Sequence, residues 1–305
     1  MTDYGHDLVF GTLLEPPGDN PRRVVELAEF TEEAGLDLAS LSDHPYWPER
    51  LDTMALLSVI VARTTRLRVL SNLANLPLRP PTTLARTAAT LDILSGGRFE
   101  LGIGTGTQHF WDAITAEGGP RRTAGESIEA LDEAVRIVRA LWAPGSDLRF
   151  HGKHYRLDGA KTGPAPAHDI GIWLGAYQPR LLRLTGRVAD AWVPSSPFLP
   201  PEHLPAANRV IDDAATAAGR SPQAVRRAYN VEGEFGTGTG FLQGPPRMWA
   251  EQLAHLALTE GISTFMLYRA EQPDAIRRFG KEVAPAVREL VAQGRGSGGA
   301  NSPNR

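Results

Sequence analysis

Residues 95–106, Ser95-Gly96-Gly97-Arg98-Phe99-Glu100-Leu101-Gly102-Ile103-Gly104-Thr105-Gly106, decide how the chain is read. A short apolar run over 98–104 lies between a helix-ending Gly pair and a Gly-rich turn, which is the pattern of a buried strand. Residues 82–94 upstream and 124–142 downstream carry apolar side chains at helical spacing. One strand is thus flanked by helices, and the same unit recurs in both directions. Strands are predicted over 8–14, 36–42, 67–72, 98–104, 170–175, 189–193, 225–235 and 262–268. Helices are predicted over 22–34, 52–63, 82–94, 124–142, 179–188, 203–218, 246–259 and 273–291. Strict alternation implies parallel strands joined by helical crossovers. Eight such units in one chain of 305 residues fit a (β/α)8 TIM barrel, an α/β fold, better than two doubly wound domains.

The domain reading is one barrel over 1–292 with an insertion at about 144–169. That insertion holds RFHGKHYRL, read as a hairpin, and GPAPAH, a Pro-rich return to the barrel. Residues 293–305, QGRGSGGANSPNR, lack apolar anchors and are predicted to be a disordered tail.

Composition excludes several classes of function. A hydrophobic fraction of 42% with 22% charged residues is globular. A net charge of −3 offers no basic surface for a phosphate backbone, so nucleic acid is not an expected partner. Cysteine is absent, which removes disulfides, zinc ribbons, iron–sulfur clusters and thiol nucleophiles. No HxH, HExxH or GxSxG occurs, so neither a metal site nor serine hydrolysis has support. No apolar window reaches membrane-spanning length, and the N-terminus has no signal-peptide pattern; a cytoplasmic protein without membrane contact is expected.

In a barrel of this kind the working residues follow the strands. The second strand leads into Ser42-Asp43-His44-Pro45-Tyr46-Trp47, an acid, an imidazole and two aromatics suited to proton handling and stacking. Asp43 capping a turn and His44 bonding backbone explain the same loop. The third strand leads into Asn72-Leu73-Ala74-Asn75, whose two Asn can bond a heterocycle edge or simply make a turn, and the fourth into Gly104-Thr105-Gly106-Thr107 and then Phe110-Trp111. Glycines there remove side chains where a ligand approaches backbone, although a tight turn needs them too. The fifth strand leads into Gly175-Ala176-Tyr177-Gln178-Pro179, a turn entering a helix and so a candidate anion site or simply a capped helix. Glu232 and Arg269 follow the last two strands. Trp47, Thr107, Phe110, Trp111 and Glu232 are the candidate substrate-pocket residues, the aromatics suiting core packing equally well.

SDHPYW at 42–47, the Asn72-Leu73 strand end, SGGRFELGIGTG at 95–106 and IWLGAYQPRLLRLTGRVADAW at 172–192 together resemble the bacterial-luciferase-like family over about residues 8–290. The resemblance implies a barrel that binds FMN or the 8-hydroxy-5-deazaflavin coenzyme F420 at the strand C-terminal face. It implies a monooxygenase, or a reductase or dehydrogenase that transfers hydride to or from a small organic substrate. Asp43 and His44 match the family's acid–His pair beside the ring, with His44 the expected general acid/base. Asn72-Leu73 matches a bulge where deazaflavin members hold a non-prolyl cis peptide. Gly104-Thr105-Gly106 matches the ring-side turn, and Gly175-Ala176-Tyr177-Gln178 the phosphate turn. GAYQPRLLRLTG is nearer to deazaflavin members than to the Ser-rich version of FMN monooxygenases. Family members are often dimers, so a homodimer is expected.

One position departs from the pattern. Deazaflavin sugar-phosphate dehydrogenases of the family carry Glu where this chain has Thr107, and they use Lys in the substrate-phosphate pocket. The three lysines here, Lys153, Lys161 and Lys281, match none of those positions. Three readings stand: a deazaflavin oxidoreductase, an FMN monooxygenase on the same barrel, and a flavin-binding protein without catalysis.

Overall fold

The computed structural model describes residues 2–15, 18–145 and 147–299. Eight parallel strands close on themselves. They are β1 (Val9–Leu14), β2 (Leu38–Leu41), β3 (Arg68–Asn75), β4 (Phe99–Gly104), then, after a two-stranded insertion of β5 (Leu148–His151) and β6 (Arg156–Ala160), β7 (Ile172–Leu174), β8 (Ala191–Trp192), β9 (Arg226–Val231) and β10 (Ile262–Tyr268). The order around the barrel follows the chain, and β1 closes the ring by pairing in parallel with both β2 and β10. The expected hairpin in the insertion forms as the antiparallel pair β5–β6.

The outer ring is built of α1 (Pro21–Glu33), α2 (Thr53–Arg63), α3 (Pro81–Ser95), the short α4 (Trp111–Ala116), α5 (Ala124–Trp142), α6 (Pro179–Val188), α7 (Leu204–Ala217), α8 (Pro246–Glu260), α9 (Pro273–Arg278) and α10 (Ala284–Gly299). Their boundaries have local causes. Asp52 caps α2 by accepting from Ala55 N, and Thr123 with Glu126 forms a capping box on α5. Gly96 ends α3 in the left-handed conformation, φ +68°, which the Ser-Gly-Gly reading anticipated. Each helix turns an apolar stripe inward, so Phe10, Phe99, Phe265 and Trp249 are fully buried between barrel and helices. Burial of a side chain of that size contributes about 1.5–3 kcal/mol. No helix among the described residues is long and apolar enough to cross a membrane.

Two details differ from the sequence reading. Strand β3 does not stop at residue 72. Ser71 pairs with Leu101 and Ala74 with Ile103, so β3 carries one extra residue, a bulge at Asn72-Leu73, and then resumes to Asn75. Ser71 Oγ donates to Gly102 O at 3.0 Å and accepts from Gly102 N at 3.2 Å, filling the gap in the ladder.

The second difference is the C-terminus. Helix α9 passes through a π turn at Phe279–Val283 into α10, which runs to Gly299, so residues 293–299 are helical and not disordered. The reason is tertiary: Arg295 forms an ion pair with Asp3, Nε to Oδ2 at 2.7 Å, and donates to His6 O at 3.0 Å. Anchoring overrides the weak helix preference of Gly and Ser. The rest of the expected tail, 300–305, lies outside the described residues.

Candidate active site

The C-terminal rim gathers the loops that the sequence singled out. After β2, His44 sits half-buried in an aromatic box. Its ring stacks on Trp47 with centroids 4.3 Å apart and meets Tyr46 and Phe110 edge-on at 5.6 and 5.8 Å. Phe110 comes from the loop after β4 and packs on both Tyr46 and Trp47, at 5.2 and 5.3 Å, so two loops share one box. His44 Nδ1 lies 2.7 Å from the Tyr46 hydroxyl. Burial pushes the His44 pKa below its ordinary value, and Arg50 adds to that, while the charges of Glu15 and Asp43 oppose it. The imidazole is therefore neutral at pH 7. Its Nε2 has no hydrogen-bond partner among the described residues.

Asp43 is bound away from the His44 ring nitrogens. Its side chain is 1% exposed and binds Arg79 through both oxygens, at 2.7 and 2.8 Å. It also accepts from Asn75 N at 2.8 Å. A carboxylate committed to three donors ties the β2 loop to the β3 loop. Arg79 is shared with Asp52, the α2 cap, at 2.6 Å.

Leu73, at the β3 bulge, stands over glycines of the neighbouring strands. A Cβ on Gly102 would lie 2.7 Å from Leu73 Cδ2, on Gly104 3.3 Å from its Cβ, and on Gly175 2.6 Å from its Cδ1. These glycines therefore make room for Leu73 rather than only for a ligand. The Asn72–Leu73 peptide is cis, as the resemblance implies. Asn72 turns its side chain into the barrel, where Nδ2 donates to Asn230 Oδ1 at 2.9 Å and to Ser40 Oγ at 3.2 Å. Its amide is thus engaged beneath the rim. The residue beyond the bulge presents the free group instead: Asn75 is 5% exposed, and its Oδ1 has no partner. A buried acceptor without a donor is costly unless a ligand supplies one.

The remaining expected residues are placed as follows. Thr105 and Gly106 form the turn after β4, with Gly106 at φ +70°. Ala176 is buried, and its carbonyl accepts from Trp192 Nε1 at 2.9 Å. Gln178 caps α6 without a side-chain bond, Pro179 has no N–H, and Leu181 N donates to Gln178 O at 3.0 Å, so Arg180 N is the first-turn donor left for an anion. The Tyr177 hydroxyl accepts from Ser195 N at 3.2 Å, and its ring meets Phe198 edge-on. Thr107 is exposed. Trp111 opens α4 and makes no ring pairing with the His44 box among the described residues. Glu232 is ion-paired with Arg269 at 3.2 Å.

Residues that the sequence reading did not place in the site are Arg79, Asn75, Asn230, Arg50 and, as the partner of His44, Tyr46. Tyr46, inside the SDHPYW run, and Asn75, beside Asn72 at the strand end, carried a local signal. Arg50 binds Glu15 at 2.6 Å and lies over the Trp47 ring at 5.5 Å.

The fold and this rim define a (β/α)8 barrel with its working face at the strand C-termini. The family model of the luciferase-like monooxygenases matches residues 8–232, and the chain belongs to that family. It is 31% identical over 240 residues to an F420-dependent glucose-6-phosphate dehydrogenase from Mycolicibacterium gilvum, covering 75% of this chain and 70% of that protein. A solved F420-dependent secondary alcohol dehydrogenase in complex with an F420-acetone adduct superposes with a TM-score of 0.80 at 17% identity, covering 92% of this chain and 99% of that one. A monooxygenase from Streptomyces bottropensis superposes with a TM-score of 0.75 at 21% identity, covering 91% and 99%.

Proposed function

We propose that this protein is an oxidoreductase that uses the deazaflavin coenzyme F420 to move a hydride to or from a carbon bearing the oxygen of a small, uncharged alcohol or carbonyl compound. The observation that carries the reading is His44, a neutral imidazole with Nε2 unpartnered, in an aromatic box on the loop after β2, the strand next to the bulged β3.

The residues at the rim suit such a coenzyme. Leu73, seated on glycines, offers an apolar support for a ring. The orphaned Asn75 Oδ1 offers the acceptor that an imide N–H requires. The N-terminus of α6 after Gly175-Ala176-Tyr177-Gln178, with Arg180 N as its open first-turn donor, suits a phosphate. When bound, the coenzyme supplies the hydride chemistry. His44 then handles the proton at the substrate oxygen, and Trp47, Phe110 and Tyr46 exclude water from that oxygen and orient the substrate.

The substrate is assigned as uncharged because three arginines of the loops that carry the site residues are already ion-paired. Arg79 is held by Asp43 and Asp52, Arg50 by Glu15, and Arg269 by Glu232. Lys153 and Lys161 belong to the insertion, where they bind Glu129 and Asp147. A phosphate monoester has no unpaired guanidinium or ammonium to meet among these groups. Thr107, in place of the Glu of sugar-phosphate dehydrogenases, points the same way.

The experiment is turnover of purified protein with F420 on a panel of small secondary alcohols and ketones, set beside glucose 6-phosphate. Turnover of neutral compounds without turnover of the phosphate ester is expected. Preference for the phosphate ester overturns the substrate assignment, and oxygen-dependent product formation with reduced FMN alone overturns the hydride-transfer reading.

A further inference from the structure

His44 and Tyr46 share a single hydrogen between Nδ1 and the phenol oxygen, 2.7 Å apart. Two arrangements are available. In one, Tyr46 O–H donates to Nδ1 and the imidazole hydrogen sits on Nε2. In the other, Nδ1–H donates to the phenol oxygen and the Tyr46 hydrogen needs a different acceptor.

Tyr46 is 9% exposed, and His44 Nδ1 is the one hydrogen-bond partner of its hydroxyl among the described residues. The second arrangement leaves the hydroxyl hydrogen of a largely buried residue without a protein acceptor, which is costly; the first leaves none. Loss of the phenol proton offers no third arrangement, since burial and the Asp43 charge hold Tyr46 in its neutral form.

We infer that Tyr46 is the positioning residue that fixes His44 as the Nε2–H tautomer, so that the nitrogen without a protein partner meets a substrate oxygen as a hydrogen-bond donor. The inference rests on the proposed function only for the substrate oxygen; the tautomer stands on the two side chains alone. Donation into Nδ1 polarises the ring and strengthens the N–H at Nε2. In the carbonyl-reducing direction a neutral imidazole that donates polarises the carbonyl oxygen as the adjacent carbon accepts a hydride; the oxygen takes the Nε2 proton, the Tyr46 hydrogen passes to Nδ1 and solvent reprotonates the phenol, and alcohol oxidation runs the same relay in reverse. It also distinguishes Tyr46 from Trp47 and Phe110, which shape the same box without a polar contact to the ring.

The remaining charges around His44 do not choose between the nitrogens by hydrogen bonding. Glu15 is bound to Arg50 and Ser42, and Asp43 to Arg79 and Asn75. Tyr46 alone contacts a ring nitrogen among the described residues.

The test is a long-range proton–nitrogen NMR correlation on 15N-labelled protein without coenzyme, with His44→Gln used to assign the ring among the eight histidines. The Nε2–H pattern is expected, in excess by on the order of tenfold. A dominant Nδ1–H pattern in the wild type overturns the inference. Tyr46→Phe should remove that excess and raise the pH at which His44 titrates, because the contact favours the neutral ring. An unchanged tautomer and midpoint in Tyr46→Phe reduce Tyr46 to a packing residue and overturn it equally. Both readouts are taken on the free protein, so they stand apart from any failure of coenzyme binding or turnover.

Discussion

Asn72 on β3 and Asn230 on β9 meet inside the barrel, with Asn72 Nδ2 donating to Asn230 Oδ1 at 2.9 Å. The chain extends from this pair on both sides: Asn230 Nδ2 donates to Ser195 Oγ, and Ser40 Oγ accepts from Asn72 and donates to Thr12 O. Asn72 and Asn230 are 8% and 2% exposed, so the layer is a polar floor under the rim. Removing one member strands its partners in a dry interior.

Asn72→Ala and Asn230→Ala are each expected to lower unfolding free energy by about 1–3 kcal/mol. The double variant should cost clearly less than the sum, because both singles lose the same bond. Chemical denaturation of the four proteins measures this, and strictly additive costs would show that the two amides act independently.

Asp43 and His44, adjacent in sequence, should fail in opposite ways. Asp43→Asn breaks a buried bidentate pair, a change that usually costs ~3–5 kcal/mol. The lower end is expected here because Arg79 keeps Asp52. His44→Ala should leave the melting temperature nearly unchanged and lower kcat by about 10²–10⁴-fold, with a far smaller effect on coenzyme affinity. Parallel loss of turnover and affinity in His44→Ala would contradict a role in proton handling.

Stability should fall on mild acidification. Burial holds the pKa values of His44 and His6 below the ordinary value. The unfolded chain, in which both titrate near 6.5, therefore binds more protons than the folded one once pH drops below that point. Stability is complete above about pH 6.5 and declines as pH falls toward the folded values. Denaturation at pH 7.5 and 5.5 should show the loss, and His44→Gln should reduce it. A pH-independent difference between wild type and variant would contradict the burial effect.

Much of the fold was legible because hydrophobic period is a local property. Strand–helix alternation, the hairpin at 149–157 and the Gly96 stop each depend on neighbours within a few positions. The site was legible only as a set of loops. Asp43 meets Arg79 36 residues away and Asn72 meets Asn230 158 residues away, and no spacing announces such pairs. Gly104 looked like room for a ligand because the Leu73 side chain that fills the space comes from another strand. Residues 293–299 looked disordered because their anchor, Asp3, sits at the other end of the chain.

That anchor gives its own prediction. Arg295→Ala should cost about 0.5–1 kcal/mol, less at high salt, since the pair is partly exposed. Truncation before Gly294, which packs close to Leu258, should lower Tm by roughly 2 °C or more. An unchanged Tm on truncation would mean that the last turns of α10 add nothing to the fold.

The central claim is that the rim around His44, Leu73 and Asn75 holds a deazaflavin ring. Parallel fluorescence titrations of the purified protein with F420 and with FMN test it most directly. Saturable binding of F420, with FMN bound at least tenfold more weakly, is the predicted result; tighter binding of FMN, or no binding of either, would contradict it.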